Sequence, residues 1–225
     1  MVTDDIAEEA ARLSVGILGG TGDQGRGLGR RLAIAGNRVI IGSRNAGRAV
    51  AAAATIGSPP QVTGAGNEDV ARGADLVIAA IPWEGHASLL VRLAGALAGK
   101  VVVDCVNPMA FDSHGAYPVP VPEGSAAQQA AAVLPDSTVV GAFHHVSATV
   151  LLDPEVSDLA QDVLVLGDDR HATDLVQALA GRLPGVRGVY AGRLRNCAQV
   201  EALTCNLVSV NRRYKAHAGI RITDI

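Results

Sequence analysis

Three observations predict a doubly wound α/β fold with a mostly parallel sheet. Short apolar runs alternate with amphipathic stretches along the chain, a glycine-rich turn follows the first run, and the 225 residues are 48% hydrophobic and 18% charged, enough for a sizeable core. After an Ala/Glu-rich extension over 1–13, Ser14 to Leu18 is a continuous apolar run ending in Gly19-Gly20, the pattern of a strand buried on both faces. Gly25 to Ala35 alternates apolar and basic positions at helical spacing and stops at Gly36. Arg38 to Ile41 reads as the second strand and Ala46 to Ile56 as the second helix. Ser58-Pro59-Pro60 breaks the chain before a short strand at Val62-Thr63 and a brief helix from Asn67 to Gly73.

Asp75 to Ile81 is the next buried strand, ended by Pro82, followed by a helix over Ala87 to Leu97 and a strand over Lys100 to Asp104. The proline-containing stretch Met109 to Gly124 reads as a loop. Beyond it the pattern gives a helix at Ser125 to Leu134 and strands at Thr138 to Ala142 and Asp162 to Leu166. A helix at Ala172 to Leu183 and a strand at Gly188 to Tyr190 follow. Past Arg193 the apolar positions Val200, Leu203, Leu207 and Val210 recur at spacings of three and four, predicting a terminal helix to about His217. The division this suggests is an extension over 1–13, a nucleotide-binding domain over 14–135 and a small C-terminal helical lobe over 136–225, packed on the sheet.

Several functional classes are excluded as expectations. A formal net charge of −3 offers no basic field for nucleic acid, and one Trp, three Tyr and two Phe make no base-stacking surface. No apolar run approaches the ~20 residues of a membrane span, and the acidic start Asp4-Asp5-Ile6-Ala7-Glu8-Glu9 is unlike a secretory signal. Cys105, Cys197 and Cys205 are odd in number, form no Cys-x-x-Cys pair and sit in apolar segments, which fits a reduced, cytoplasmic protein.

Gly20-Thr21-Gly22-Asp23-Gln24-Gly25 fits G-x-G-x-x-G where a strand ends and a helix opens, the context that makes this Rossmann-type motif informative. The first glycine permits the tight turn, the second lets backbone approach a pyrophosphate, and the third lets helix and strand pack. The second strand ends in Gly42-Ser43-Arg44 with Arg48 one turn on, and no carboxylate stands where one would bind a ribose of NAD. A hydroxyl and two guanidiniums there favour a 2′-phosphate, hence NADP over NAD.

Ligands of such sheets lie beyond the carboxyl ends of the strands, which directs attention to Pro82-Trp83, Asn107-Pro108 and His144-His145. Trp83 either walls the nicotinamide half of a cofactor or packs as a core or lid aromatic. Asn107 either borders the ligand or only makes the turn. Adjacent histidines on a strand point to opposite faces, and no further ligand lies at suitable spacing, so no metal site is expected. One of the pair lines the pocket or merely packs. The two lysines, Lys100 and Lys215, are placed where neither serves as a proton donor at the site, and no Ser-Tyr-x-x-x-Lys arrangement exists. An acceptor that takes hydride directly at an electron-poor ring carbon suits such a site. The basic run Arg212, Arg213, Lys215 and Arg221 is either a solvated helix end or a seat for an anionic substrate tail.

Together these residues resemble the F420-dependent NADP reductase family, over essentially Ser14 to Ile222. The resemblance rests on Gly19 to Gly25, Gly42-Ser43-Arg44, Ile81-Pro82-Trp83-Glu84, His144-His145-Val146, and Val200 to Thr204 continuing to Asn211 through Lys215. Gly85 departs from it as an extra residue between Glu84 and His86. The resemblance implies an oxidoreductase moving hydride directly between NADP(H) and the deazaflavin coenzyme F420; the apolar C-terminal helix, in a chain of this size, either pairs in a homodimer or is buried within the monomer. It implies that Thr21, Gly22, Asp23 and Gln24 hold the pyrophosphate, Ser43, Arg44 and Arg48 the 2′-phosphate, and Trp83 the nicotinamide side. His144 and Val146 would lie beside the two rings, and Arg212 and Arg213 would pair with the F420 tail. An NADP-dependent reductase of an imine, ferric chelate or flavin, and a non-enzymatic NADP redox sensor, are the alternative expectations.

Overall fold

A computed structural model describes residues 2–57 and 61–225, so the expected break at Ser58-Pro59-Pro60 lies outside the described residues. In chain order the elements are α1 (Asp4–Arg12), β1 (Ser14–Leu18), α2 (Asp23–Ile34), β2 (Arg38–Ser43), α3 (Ala46–Thr55), β3 (Val62–Gly66) and α4 (Asn67–Gly73). Next come β4 (Leu76–Ala79), α5 (His86–Leu97), β5 (Val101–Asp104), β6 (Met109–Asp112), β7 (Gly115–Pro118), α6 (Ala126–Val133), β8 (Thr138–Gly141) and α7 (Ala148–Leu152). The chain finishes with β9 (Gln161–Gly167), α8 (Arg170–Gly181), β10 (Val186–Gly192) and α9 (Cys197–Tyr214).

One eight-stranded sheet runs in the order β10-β9-β8-β5-β4-β1-β2-β3. The six strands from β3 to β8 are parallel and follow the Rossmann order 3-2-1-4-5-6. β9 pairs antiparallel with β8, and β10 parallel with β9, so both run against the rest. β1, β4 and β9 are buried at every position, and helices on both faces close two apolar clusters over the sheet. The sheet crosses residue 135 without interruption, because β8 is its sixth parallel strand.

Several segments differ from the sequence expectations. Residues 4–12 are a docked helix: Ala10 is fully buried, and the buried Asn37 amide donates to the carbonyls of Ala10 (2.9 Å) and Leu13 (3.1 Å). The Met109 to Gly124 stretch is not all loop, since β6 and β7 pair as an antiparallel hairpin whose strands are at most half-buried. α7 was not anticipated; the buried guanidinium of Arg31 holds it by donating to the carbonyls of Val150, Leu151, Asp153 and Val156. On α9 the buried positions are Cys197, Val200, Glu201 and Cys205, whereas Leu203 and Leu207 are half-buried and Val210 is exposed. The inward stripe of that helix therefore contains a carboxylate and two thiols.

Candidate active site

β1 lies at the centre of the sheet, where the chain crosses from β3 to β4, and its carboxyl end opens into the phosphate loop. Each glycine there has a separate reason. A Cβ on Gly20 would sit 2.9 Å from the Ile17 carbonyl oxygen, and one on Gly25 only 2.6 Å from the Gly20 Cα. A Cβ on Gly22 would meet nothing closer than 3.7 Å. The protein's own packing thus demands Gly20 and Gly25, while the space at Gly22 faces outward. Gly22 is the N-cap of α2 and supplies no capping side chain, so the first-turn N–H groups are left for a ligand. The side chain of Asn67 at the start of α4 accepts from the Gly19 N–H (3.4 Å) and pins the loop from behind.

At the end of β2, Ser43 is buried and its hydroxyl accepts from the Asn45 N–H (3.3 Å). Asn45 caps α3 by accepting from the Arg48 N–H. Arg44 and Arg48 are exposed, and neither forms an ion pair among the described residues. An open loop with free helix N–H groups and two unpaired guanidiniums beside it fits a nucleotide carrying both a pyrophosphate and a 2′-phosphate.

After β4, Trp83 opens a 3₁₀ turn over Trp83–Gly85 and is half-buried. Its ring centroid lies 5.6 Å from that of His86, which is fully buried. His86 Nε2 donates to Asp104 (2.6 Å) and Nδ1 to the Gln129 amide oxygen (3.0 Å). Burial works against the imidazolium, but these two acceptors and the Asp104 charge outweigh it and raise the His86 pKa.

Beyond β5, the Asn107 amide donates to the His144 carbonyl (2.8 Å), and the Thr204 hydroxyl of α9 donates to the same oxygen (3.1 Å). The Gln24 amide of α2 donates to the Phe143 carbonyl (3.3 Å), so the phosphate-loop helix and the loop after β8 are tied together. His144 and His145 do not alternate along a strand: β8 ends at Gly141, and Phe143 turns the chain with φ of 64°. Both rings are buried. His145 Nε2 accepts from the Leu164 N–H (3.3 Å), whereas both His144 ring nitrogens lack a hydrogen-bond partner. Burial pushes both histidines down to about 4. Val146 is also buried and packs in the apolar cluster with Phe143 and Leu151.

The sequence reasoning missed Glu201. This buried carboxylate accepts from the N–H groups of Ala126 (2.9 Å) and Ala127 (3.2 Å) at the start of α6, and its Oε1 stands 4.0 Å from His144 Nε2. Burial raises its pKa to about 7 despite the two N–H donors. The one signal in the sequence was an acid spaced four residues from Cys197 and Cys205 on an otherwise apolar helix face. Arg212 and Arg213 lie in the last turn of α9, exposed and two turns beyond Thr204, so the structure does not bring them against the loops just described. No group of three or more potential metal ligands occurs among the described residues, and no helix there is long and apolar enough to cross a membrane.

Residues 14–108 match the family model described as NADP oxidoreductase coenzyme F420-dependent. The F420-dependent NADP reductase of Methanothermobacter marburgensis is 37% identical over 223 residues, covering 95% of this chain and 99% of that protein. That of Methanocaldococcus jannaschii is 38% identical over 224 residues with the same coverage. A crystal structure from Arthrobacter sp. FB24, provisionally described as an F420-dependent NADP reductase, superposes with a TM-score of 0.81 at 28% identity, covering 94% of this chain and all of that one. The likeness is not confined to the nucleotide half, since it runs through β8, β9 and α9 as well. By that full-length similarity the chain belongs to the F420-dependent NADP reductase family.

Proposed function

We propose that this protein exchanges hydride directly between NADP(H) and the deazaflavin coenzyme F420. The observation that carries the reading is a phosphate loop open at Gly22, tied through Gln24 and the Phe143 carbonyl to the acceptor-side loop of a chain related end to end to F420-dependent NADP reductases. Gly20, Thr21, Gly22, Asp23, Gln24 and Gly25 cradle the pyrophosphate at the α2 N-terminus, and Ser43, Arg44 and Arg48 take the 2′-phosphate. Trp83 and Asn107 border the nicotinamide, and the loop holding His144 and Val146 forms the floor beneath the two rings. NADPH supplies the hydride to the deazaflavin ring. The chain's part is to hold the ring carbons in contact and keep water out. Lys100 Nζ, engaged with the carbonyls of Arg72 and Ala74 at the amino ends of the strands, takes no part.

In this reading 14–135 serve chiefly the nucleotide and 136–225 the acceptor, with Arg212 and Arg213 meeting the anionic F420 tail where it projects from the site. The exposed Val210 and Tyr214 of α9 would pack against a second copy in a homodimer, and the three buried free thiols suit a cytoplasmic setting.

The test is the loss of visible absorbance of oxidised F420 on mixing with NADPH, with NADH and a flavin run beside it. Bleaching with NADPH and little with NADH is expected. Arg44→Ala should weaken NADPH by roughly tenfold or more, the size of one lost charge-assisted bond, and leave NADH unaffected. Tight NADPH binding without bleaching of F420 overturns the acceptor assignment.

A further inference from the structure

A cleft of about 240 Å³ lies outside the nucleotide loops, lined by Pro108, Pro118, Val119, Val121, Ala198 and Glu201 among others. It runs between the β6–β7 hairpin, the segment that follows it and the first turns of α9. Glu201 touches this cleft and also stands within 4.0 Å of His144 Nε2. His144 is buried with neither ring nitrogen satisfied, an uncommon state for a buried polar side chain. Its carbonyl is clamped by Asn107 and Thr204, which fixes the main chain at this residue. A buried carboxylate in the wall of a cleft on one side and beside an unsatisfied imidazole on the other is the arrangement of a proton path.

The reaction needs one. Hydride transfer from NADPH leaves an extra electron pair on the acceptor ring, which is neutralised by a proton at the ring nitrogen; one NADPH, one F420 and one proton give NADP⁺ and reduced F420. A site that excludes water must supply that proton through the protein. Resting on the function proposed above, we propose that Glu201 and His144 form a relay carrying this proton from the cleft to the site.

In the relay Glu201 Oε1 and His144 Nε2 close from 4.0 Å to hydrogen-bond distance, Nε2 takes the Glu201 proton, and Nδ1 releases its own to the site. The Nδ1–H and Oε1–H bonds break, the acceptor N–H and His144 Nε2–H bonds form, and the imidazole is neutral before and after. The Ala126 and Ala127 N–H groups hold the resulting carboxylate, which regains its proton from water in the cleft, and the first tautomer returns by proton exchange with water once the products have left and the site is open. Around Glu201 stand His144 from the loop after β8, the His86–Asp104 pair from α5 and β5, Cys197 one turn back on α9, and the α6 N-terminus. The Asp104 charge favours the protonated acid and the His86 charge the carboxylate, while burial adds to the former and the N–H donors to the latter. The balance leaves Glu201 titrating at about 7 while His144 stays neutral, as a relay through a neutral ring requires.

The experiment compares wild type, Glu201→Gln and Glu201→Asp. In wild type, kcat for F420 reduction should fall as pH rises through about 7 and show a solvent deuterium isotope effect. Glu201→Gln should lose both the pH limb and the isotope effect and drop kcat by roughly 10²-fold, the scale of general acid catalysis. NADPH affinity, read from the fluorescence of the single tryptophan, should stay within about twofold, and Glu201→Asp should recover the pH limb. Infrared spectra of the ligand-free protein should show a protonated carboxyl band that disappears across the same pH range and is absent in Glu201→Gln. A Glu201→Gln enzyme with the wild-type rate and pH limb overturns the relay, as does a carboxyl already ionised at pH 6. Should Glu201→Gln not fold, Glu201→Asp and the infrared titration decide alone. Wild type that bleaches no F420 removes the function beneath the relay, whereas bleaching wild type with an indifferent Glu201→Gln removes only the relay.

Discussion

Gly22 and Gly25 occupy the same motif for opposite reasons. A methyl at Gly25 runs into the Gly20 backbone, which cannot move without disturbing β1 and β2, whereas a methyl at Gly22 meets only ordinary contacts within the protein. Gly25→Ala should therefore cost about 1–3 kcal/mol by overpacking, seen as a lowered Tm. Gly22→Ala should leave the Tm nearly unchanged and weaken NADPH by tenfold or more in a tryptophan fluorescence titration. Equal effects of the two on Tm would refute the assignment. The motif was legible in the sequence because its steric reasons are local. Asn67, which holds Gly19 from 48 positions away, and Glu201, bonded to Ala126 across 75, were not, because a lone polar residue says nothing about partners so distant in sequence. His86 escaped notice likewise: its meaning comes from Asp104 and Gln129, one on a strand and the other on a different helix.

The strand and helix alternation was readable because burial on both faces leaves continuous apolar runs, and the helix spacings between them are distinct. The hairpin β6–β7 was hidden, since its strands pair only with each other and carry no buried face to imprint a pattern. α1 reads in the sequence as a polar extension because one small residue, Ala10, carries its full burial. The helix packs on α8 at the amino ends of the strands, away from the phosphate loop. Removing residues 1–12 should leave the buried Asn37 amide without the Ala10 carbonyl and cost about 1–3 kcal/mol, measured as a lower urea midpoint, with NADPH affinity within about twofold. An unchanged midpoint would show that α1 contributes no stability.

For the molecule as a whole, the parallel half of the sheet followed from the alternation, but the reversal at β9 did not, because an apolar run looks the same read in either direction. The buried titratable groups then set how stability depends on pH. His144 and His145 are held neutral with values near 4 against 6.5 when unfolded, so their share of stability is complete above 6.5 and is lost as pH falls toward 4. Glu201 is the reverse: raised from 4.5 to about 7, its share is complete below 4.5 and is lost as pH rises through 7. Between 4.5 and 6.5 the unfolded chain holds two of these protons and the folded one a single proton, so stability climbs with a slope of about one proton. Above 6.5 the slope changes sign, and the raised His86 adds to the decline. Urea midpoints from pH 4.5 to 8 should therefore peak near 6.5, and Glu201→Gln should flatten the alkaline side. A midpoint that keeps rising past pH 7 would contradict the protonated Glu201.

The docking of α1 on α8 also bears on how the chain is made. During synthesis α1 leaves the ribosome early, yet the surface that receives it ends at Gly181, about four-fifths of the way along the 225 residues. Until then the groove beneath Ala10 is incomplete, and the Asn37 side-chain oxygen, which accepts from Arg182 in the folded protein, must be satisfied by water. The nucleotide-binding strands can pair while translation continues, but the clasp that closes their amino ends waits for α8, so the native state is sealed by one of its most long-range contacts.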